Sequence, residues 1–231
     1  MFKSNYTIKS SQVDPSKTLN YKGLLEICEY MGMEDLIKIG FPYDKTLEKG
    51  YSWVVAKFSF NIYKLPKYRE EIIISTHAKT HSTLVYPRSY IFKDKNNKVI
   101  IEAEGEWALI DYYKRNIVIP SKVGLDFGKD NLEDKDFDYQ INKLDLVNSY
   151  TKKIVYSDLD VNNHVNNTKY GSWIADILKN KKEYKYFRMS FSKEIKLDEE
   201  VNILYSSLDN NEVYILGKVN EEKRFEAYLG N

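Results

Sequence analysis

What most constrains the fold of this chain is a period-two alternation of apolar and polar residues, broken in two places by a single stretch of helical period. From Val99 to Leu109, the residues Val99, Ile101, Ala103, Gly105, Trp107 and Leu109 alternate with Glu102, Glu104 and Glu106. One apolar face and one charged face describe an antiparallel strand covered on one side. The glutamate row reads as a solvated sheet face rather than a metal cluster. Residues 54–62 repeat the pattern, with Val54, Ala56, Phe58, Phe60 and Ile62 opposite Val55, Lys57, Ser59 and Asn61. Residues 70–79 and 84–93 read as two more strands, and a turn at Asp94–Lys98 joins the second to residues 99–109. Ahead of them, Tyr21–Ile39 places Leu24, Ile27, Cys28 and Met31 on one helical face. Asn20 suits the helix start, and Gly32 and Gly40 are candidate stops.

The plan then restarts. Asp126, Asp130, Glu133, Asp134, Asp136 and Asp138 crowd a stretch poor in aliphatics, so 121–146 reads as a linker, partly ordered by Phe127, Phe137 and Tyr139. A strand at 150–156 leads into a polar loop at 157–166. A helix follows over 167–179, with Tyr170, Trp173, Ile174 and Ile177 on one face. Strands follow at 184–196, 201–208, 212–219 and 223–229, with Asn210-Asn211 marking a hairpin. The expected class is α+β, in two units, 1–120 and 147–231. In each, an antiparallel sheet buries its apolar face around one helix. The 231 residues suit one large domain or two smaller ones of about 100–150 each.

Charge excludes one class of partner. The 35 Lys and Arg nearly balance 34 Asp and Glu, for a net charge of +1, so no global basic field draws in nucleic acid. Apolar runs fall far short of the ~20 residues of a membrane helix. No secretory signal is visible, and the one cysteine cannot form an internal disulfide. A cytoplasmic protein is the expectation.

Chemistry concentrates in the loop Ser157-Asp158-Leu159-Asp160-Val161-Asn162-Asn163-His164-Val165-Asn166-Asn167. Asp160, Asn162 and His164 alternate, so an extended backbone would turn all three toward one pocket. The following helix start offers free N–H groups to a developing negative oxygen. Asn166 or Asn167 reads as a helix cap. An EF-hand counted from Asp158 would need Gly and Glu where Asn163 and Lys169 stand, and one histidine without nearby cysteine does not make a zinc site. No metal or cofactor is expected.

The segment SDLDVNNHVNNTKYGSWIADIL, residues 157–178, resembles the signature of the acyl-ACP thioesterases, with its DxNxHVNN core. The stretch WVVAKFSFNIYKLPKYREEIIISTHA, the strand ending near Trp107 and Ile119-Pro120 fall in the same order and spacing as in that family. The resemblance implies a tandem hotdog fold, with acyl-chain selectivity in the N-terminal half and chemistry in the C-terminal half. It also implies that Asp160, Asn162 and His164 are catalytic. A family stretch of tyrosine, arginine, arginine, glutamate and cysteine aligns with Phe191–Ile195. Glu194 is retained, and Ile195 replaces the cysteine, which excludes a thiol nucleophile there.

What remains is attack by water. Glu194 is the first choice of base, His164 serves the leaving sulfur, Asn162 orients water or carbonyl, and Asp160 fixes the loop or the imidazole tautomer, although sequence leaves this division open. The implied partner is acylated acyl carrier protein, an acidic protein. Lys179, Lys181, Lys182 and Lys185 cluster after the second helix and could meet it, but a solvated helix end, where cations suit the dipole, explains them more simply. An acyl-CoA thioesterase and a non-catalytic acyl-binding module are the alternatives, and the fold is compatible with a homodimer. Leu24, Ile27, Cys28, Met31, Val54, Ala56 and Phe58 are the candidates for lining an acyl tunnel.

Overall fold

A computed structural model describes residues 1–79, 84–125, 137–179, 183–209 and 211–231. His81, Asp126, Phe127, Asp130, Glu133, Asp134, Asp136, Lys181, Lys182 and Asn210 lie outside these residues. Two long helices are present, α1 (Tyr21–Lys38) and, after the short α2 (Tyr43–Glu48), α3 (Asn167–Leu178). The N-terminal half supplies β1 (Phe2–Thr7), β2 (Tyr51–Ile62), β3 (Glu71–Ala78), β4 (Tyr86–Lys93), β5 (Val99–Asp111) and β6 (Ile117–Val118). The C-terminal half supplies β7 (Asn148–Lys153), β8 (Tyr186–Phe191), β9 (Glu200–Tyr205), β10 (Glu212–Val219) and β11 (Glu222–Gly230). Among the described residues, no helix is long and apolar enough to cross a membrane.

All these strands form one antiparallel sheet, in the order β1-β3-β4-β5-β2-β8-β11-β10-β9-β7, with β6 beside β5. The seam between the halves is the β2–β8 pair, running from Lys57↔Ser190 to Asn61↔Tyr186. Phe60 and Phe187 are register partners whose rings stack at 5.4 Å, and Tyr21 of α1 meets Phe187 edge-on at 5.0 Å. One core therefore holds both helices and the strands of both halves: Leu24, Ile27, Cys28 and Met31 from α1, Tyr170, Trp173, Ile174 and Ile177 from α3, and Phe58, Phe60 and Phe187 from the seam. The helices cross closely. A Cβ on Gly171 would stand 2.6 Å from the Lys22 backbone nitrogen.

The alternation along β2 changes sides. The ladder with β5 shifts between Val55 and Lys57, leaving Ala56 as an extra residue, a β-bulge. Val55 pairs with Trp107 and Phe58 with Gly105, so Val55, not Val54, continues the face of Phe58 and Phe60. The outer face also differs from the sequence reading. Glu104 is buried, ion-paired with Lys79 and hydrogen-bonded by the Tyr139 hydroxyl at 2.8 Å. Asp138 accepts from Ser59 Oγ at 2.6 Å, and Lys57 lies over the Tyr139 ring. Residues 137–147 thus strap this face, and part of the glutamate row is not solvated.

Candidate active site

The loop before α3 is a tight turn, not an extended strand. Leu159 and Val165 bridge, Asp160 N–H donates to the His164 carbonyl at 2.8 Å, and Asn163 takes φ +60°. That left-handed conformation is one that asparagine tolerates better than most residues. Asp160 organises the turn from inside, because its Oδ1 accepts from the backbone N–H of Asn162 (2.8 Å) and of His164 (3.2 Å). Its Oδ2 accepts from Asn162 Nδ2 at 3.3 Å. Asn166 caps α3, its side chain accepting from Thr168 N–H at 2.8 Å. Buried Asp158 braces the base of the loop against Lys169 (3.3 Å) and Lys152 (3.7 Å).

Glu194 does not sit on a strand. β8 ends at Phe191, and both Ser192 and Lys193 donate to the single carbonyl of Arg224, so the chain peels away from the ladder. The Ile195 carbonyl then accepts from Val165 N–H at 2.9 Å, which docks this segment against the loop. As a result Glu194 Oε2 lies 3.1 Å from His164 Nε2. Its other oxygen, Oε1, is ion-paired with Arg115 Nη2, on the turn between β5 and β6.

Burial first, and the Arg115 cation second, pull the His164 imidazole below its ordinary pKa, against Asp160. The ring is therefore neutral at neutral pH. A carboxylate only accepts, so the single ring proton belongs on Nε2 facing Glu194. Nδ1 is left as an acceptor, buried and without a hydrogen-bond partner among the described residues.

These groups open onto a cavity of about 780 Å³. Asp160, Asn162, His164 and Glu194 border it, as do Asn166 and Asn167 at the start of α3. The N-terminal half supplies the remaining wall, chiefly Met33, Leu36 and Ile37 of α1, with Trp53, Trp107 and Ile110 from the sheet. Deeper polar residues include Arg88, paired with Asp35 at 2.5 Å.

Of the residues expected to line a tunnel, Val54 borders this cavity, whereas Leu24, Ile27, Cys28, Met31 and Phe58 are fully buried in the core. Ala56 is the bulged residue, half-buried outside the lining. The cause is that α1 buries one face under the sheet and turns the following face, Glu29, Gly32, Met33 and Leu36, to the cavity. Lys179 and Lys185 are exposed and do not border it, whereas Lys193 and Lys196 do.

Three cavity residues escape a sequence reading. Tyr43 of α2 donates to Asn162 Oδ1 at 2.7 Å, across 119 positions of sequence. Arg115 reaches Glu194 from a surface turn. Glu29 carries a carboxyl pushed up to about 8 by burial, with Asp160 and Glu26 adding to the effect. The apolar residues on more than one face of Tyr21–Ile39 were the available signal for Glu29.

The fold and site define a two-helix, single-sheet duplication with one polar cluster at the mouth of an apolar cavity, the tandem hotdog architecture. The chain belongs to the acyl-ACP thioesterase family. The family's N-terminal domain matches residues 1–123 and its C-terminal domain residues 139–226. It is similar to oleoyl-acyl carrier protein thioesterase 2 of Arabidopsis thaliana, 24% identical over 92% of this chain and 64% of the relative. It also resembles the dodecanoyl-[acyl-carrier-protein] hydrolase of Umbellularia californica, 23% identical over 76% of this chain and 50% of the relative. The chain thus spans about half to two thirds of the length of these curated relatives. Among solved structures, an acyl-ACP thioesterase from Bacteroides thetaiotaomicron superposes with a TM-score of 0.79 at 22% identity, covering 99% of this chain and 96% of that one. The 12:0-ACP thioesterase of Umbellularia californica gives 0.82 at 17% identity, with 99% and 96% covered. These two likenesses carry the fold.

Proposed function

We propose that the protein hydrolyses the thioester of a fatty acyl group carried on acyl carrier protein, releasing the fatty acid and the carrier thiol in the course of fatty-acid synthesis. The observation that supports this most is the His164–Glu194 pair at the end of an apolar-walled cavity. His164 is taken as the proton acceptor, because both Glu194 oxygens are already engaged by Arg115 and His164; Nδ1 is buried in the free protein, so this role requires the loop before α3 to shift and expose it to water when substrate binds. Glu194 orients the imidazole and stabilises it once protonated. Asn162, fixed by Tyr43 and Asp160, positions the water or the carbonyl.

Water loses a proton to His164 as its oxygen bonds to the carbonyl carbon. The negative oxygen of the tetrahedral intermediate develops near the start of α3, where the helix dipole favours it. Collapse breaks the carbon–sulfur bond, and the imidazolium returns the proton to the leaving sulfur. The N-terminal unit, 1–120, holds the acyl chain, and the C-terminal unit, 147–231, carries Asp160, Asn162, His164 and Glu194. Lys193 and Lys196 at the mouth suit an acidic carrier. The buried free thiol of Cys28 fits a reducing cytoplasm. Every residue named comes from one chain, so a homodimer would not be needed to complete the site.

The test is to incubate the full chain with acyl carrier protein and with CoA bearing the same acyl group, and to measure released thiol and free acid. Hydrolysis of the carrier-bound acyl group is expected. Turnover of CoA thioesters alone, or binding without release, overturns the reading.

A further inference from the structure

We propose that Arg115, contributed by the N-terminal half, is a positioning residue that holds the Glu194 carboxylate turned toward His164, so that the reacting pair is completed across both halves of the chain. The inference rests on the hydrolase reading above and adds to it a second part for the N-terminal half, beside that of Tyr43 on Asn162.

Glu194 needs such an anchor. It lies past the end of β8, in a segment without ladder hydrogen bonds of its own, with its side chain 34% exposed. A long side chain in that setting samples several rotamers, and only some of them meet His164. Arg115 removes that freedom by taking Oε1 while His164 takes Oε2.

The turn that presents Arg115 is held by its own hydrogen bonds. Asp111 Oδ1 accepts from the N–H groups of Tyr113 (3.0 Å) and Lys114 (2.7 Å), and the Asp111 carbonyl accepts from Arg115 N–H at 2.9 Å. Arg115 itself stands at φ +57°, a left-handed conformation that is unfavourable for a branched-free but bulky side chain. The guanidinium is also tied down, with Nη1 donating to the Tyr112 carbonyl at 3.3 Å and the group lying 5.8 Å from the Tyr112 ring centroid. A planar fork with several donors can serve Tyr112 and Glu194 together, which a lysine ammonium does less well.

His164 lies in a field of several charges. Glu194, Asp160 and Glu199 are its anionic neighbours and Arg115 and Lys196 the cationic ones, with Glu29, Lys193 and Arg224 bordering the same cavity. Removing Arg115 takes away a cation and frees a carboxylate beside the ring. Both changes favour the protonated imidazole.

The test compares wild type with Arg115→Gln and Arg115→Lys as full chains, by kcat and KM from pH 5 to 9 on one acyl carrier protein substrate. Melting is followed in parallel, as is the His164 ring titration by NMR. Arg115→Gln is expected to lower kcat by about 10- to 100-fold with KM little changed, and to move the acid limb of kcat/KM and the His164 midpoint to higher pH. Arg115→Lys should return the midpoint toward wild type while recovering kcat only in part. A residue that only stabilised the fold would lower melting and leave the kcat of the folded protein in place. A folded Arg115→Gln with an unmoved His164 midpoint overturns the proposal. The ring titration needs no substrate, so it decides this point even if wild type hydrolyses nothing, an outcome that would sink the hydrolase reading instead.

Discussion

Gly171→Ala sets two effects of known sign against each other. In an exposed helix, replacing glycine by alanine stabilises by about 1 kcal/mol. At this position the added Cβ would lie 2.6 Å from Lys22 N, 2.8 Å from Lys22 Cα and 2.8 Å from the Tyr21 carbonyl carbon. Carbon contacts settle near ~3.5–4.0 Å, so the helices must part by roughly 1 Å where they cross. The obstacle is backbone in the first turn of α1, which no rotamer change can move aside. Overpacking of this kind costs about 1–3 kcal/mol, and the rigid obstacle places the cost at the upper end. The net expectation is a loss of about 2 kcal/mol, or a fall of about 4–8 °C in Tm for a chain of this size. Gly171 lies just over one turn from the Asn166 cap, so shifting α3 also shifts the His164 loop against Tyr43. Activity should fall further than stability explains, by on the order of 10²-fold for a 1 Å misplacement. Asp176→Ala, on the exposed side of the same helix, is the control and should leave both readouts near wild type. Urea denaturation and thiol release measure the two. A Gly171→Ala protein as stable as wild type would refute the close-crossing argument.

Four other outcomes are expected. His164→Ala should fold with an unchanged denaturation midpoint and lose about 10²–10⁴-fold in turnover; near-wild-type thiol release would remove His164 from the mechanism. Cys28→Ser should keep turnover within a few-fold and lose about 1–3 kcal/mol, because the thiol is fully buried among apolar side chains and a hydroxyl there finds no partner; loss of activity in a stable protein would contradict this. Glu29 in the folded chain binds a proton up to about pH 8, while the unfolded chain releases it near 4.5. The Glu29 contribution to stability is therefore full below pH 4.5 and is lost as pH rises to 8. At about 1.4 kcal/mol per unit the full fall is on the order of 5 kcal/mol, of which about 4 lies between pH 5 and 8.5, and Glu29→Gln should abolish it, as read from urea midpoints at those two pH values; parallel curves for both proteins would count against the raised carboxyl. Ile27→Phe should lower melting with the released-acid profile intact, whereas Met33→Trp should shift that profile toward shorter chains; the reverse pattern would place the acyl chain along the buried stripe of α1.

Local patterns in the sequence carry the elements and the polar loop, because both depend on near neighbours. Helical spacing marks α1 and α3, alternation marks β4 and β5, and the crowd of Asp, Asn and His residues marks the turn around Asp160. What the sequence conceals depends on distant partners. Nothing near Ala56 announces the bulge that moves Val54 off the core face, because the shift exists only against β5. Lys79, Tyr139 and Glu104 are ordinary polar residues until the strap brings them together. Glu26 and Glu29 look alike as letters, and only the cavity and Asp160 separate them. The N-terminal β1 has a weak alternation, Phe2 and Tyr6 around Ser4, that passes for a polar tail until it pairs with β3.

The seam between β2 and β8 has a consequence for how the chain is made. Roughly 130 residues separate the paired positions. At a synthesis rate of about 5–20 residues per second, β2 leaves the ribosome about 6–26 s before its partner. Throughout that interval one side of β2 has unpaired N–H and C=O groups beside Phe58 and Phe60, a template that another nascent chain could add to. Conditions that lengthen the wait, such as slow codons ahead of β8, should raise aggregation without altering the stability of the finished protein. Yield in expression is then governed by the timing of a single strand rather than by the depth of the native well.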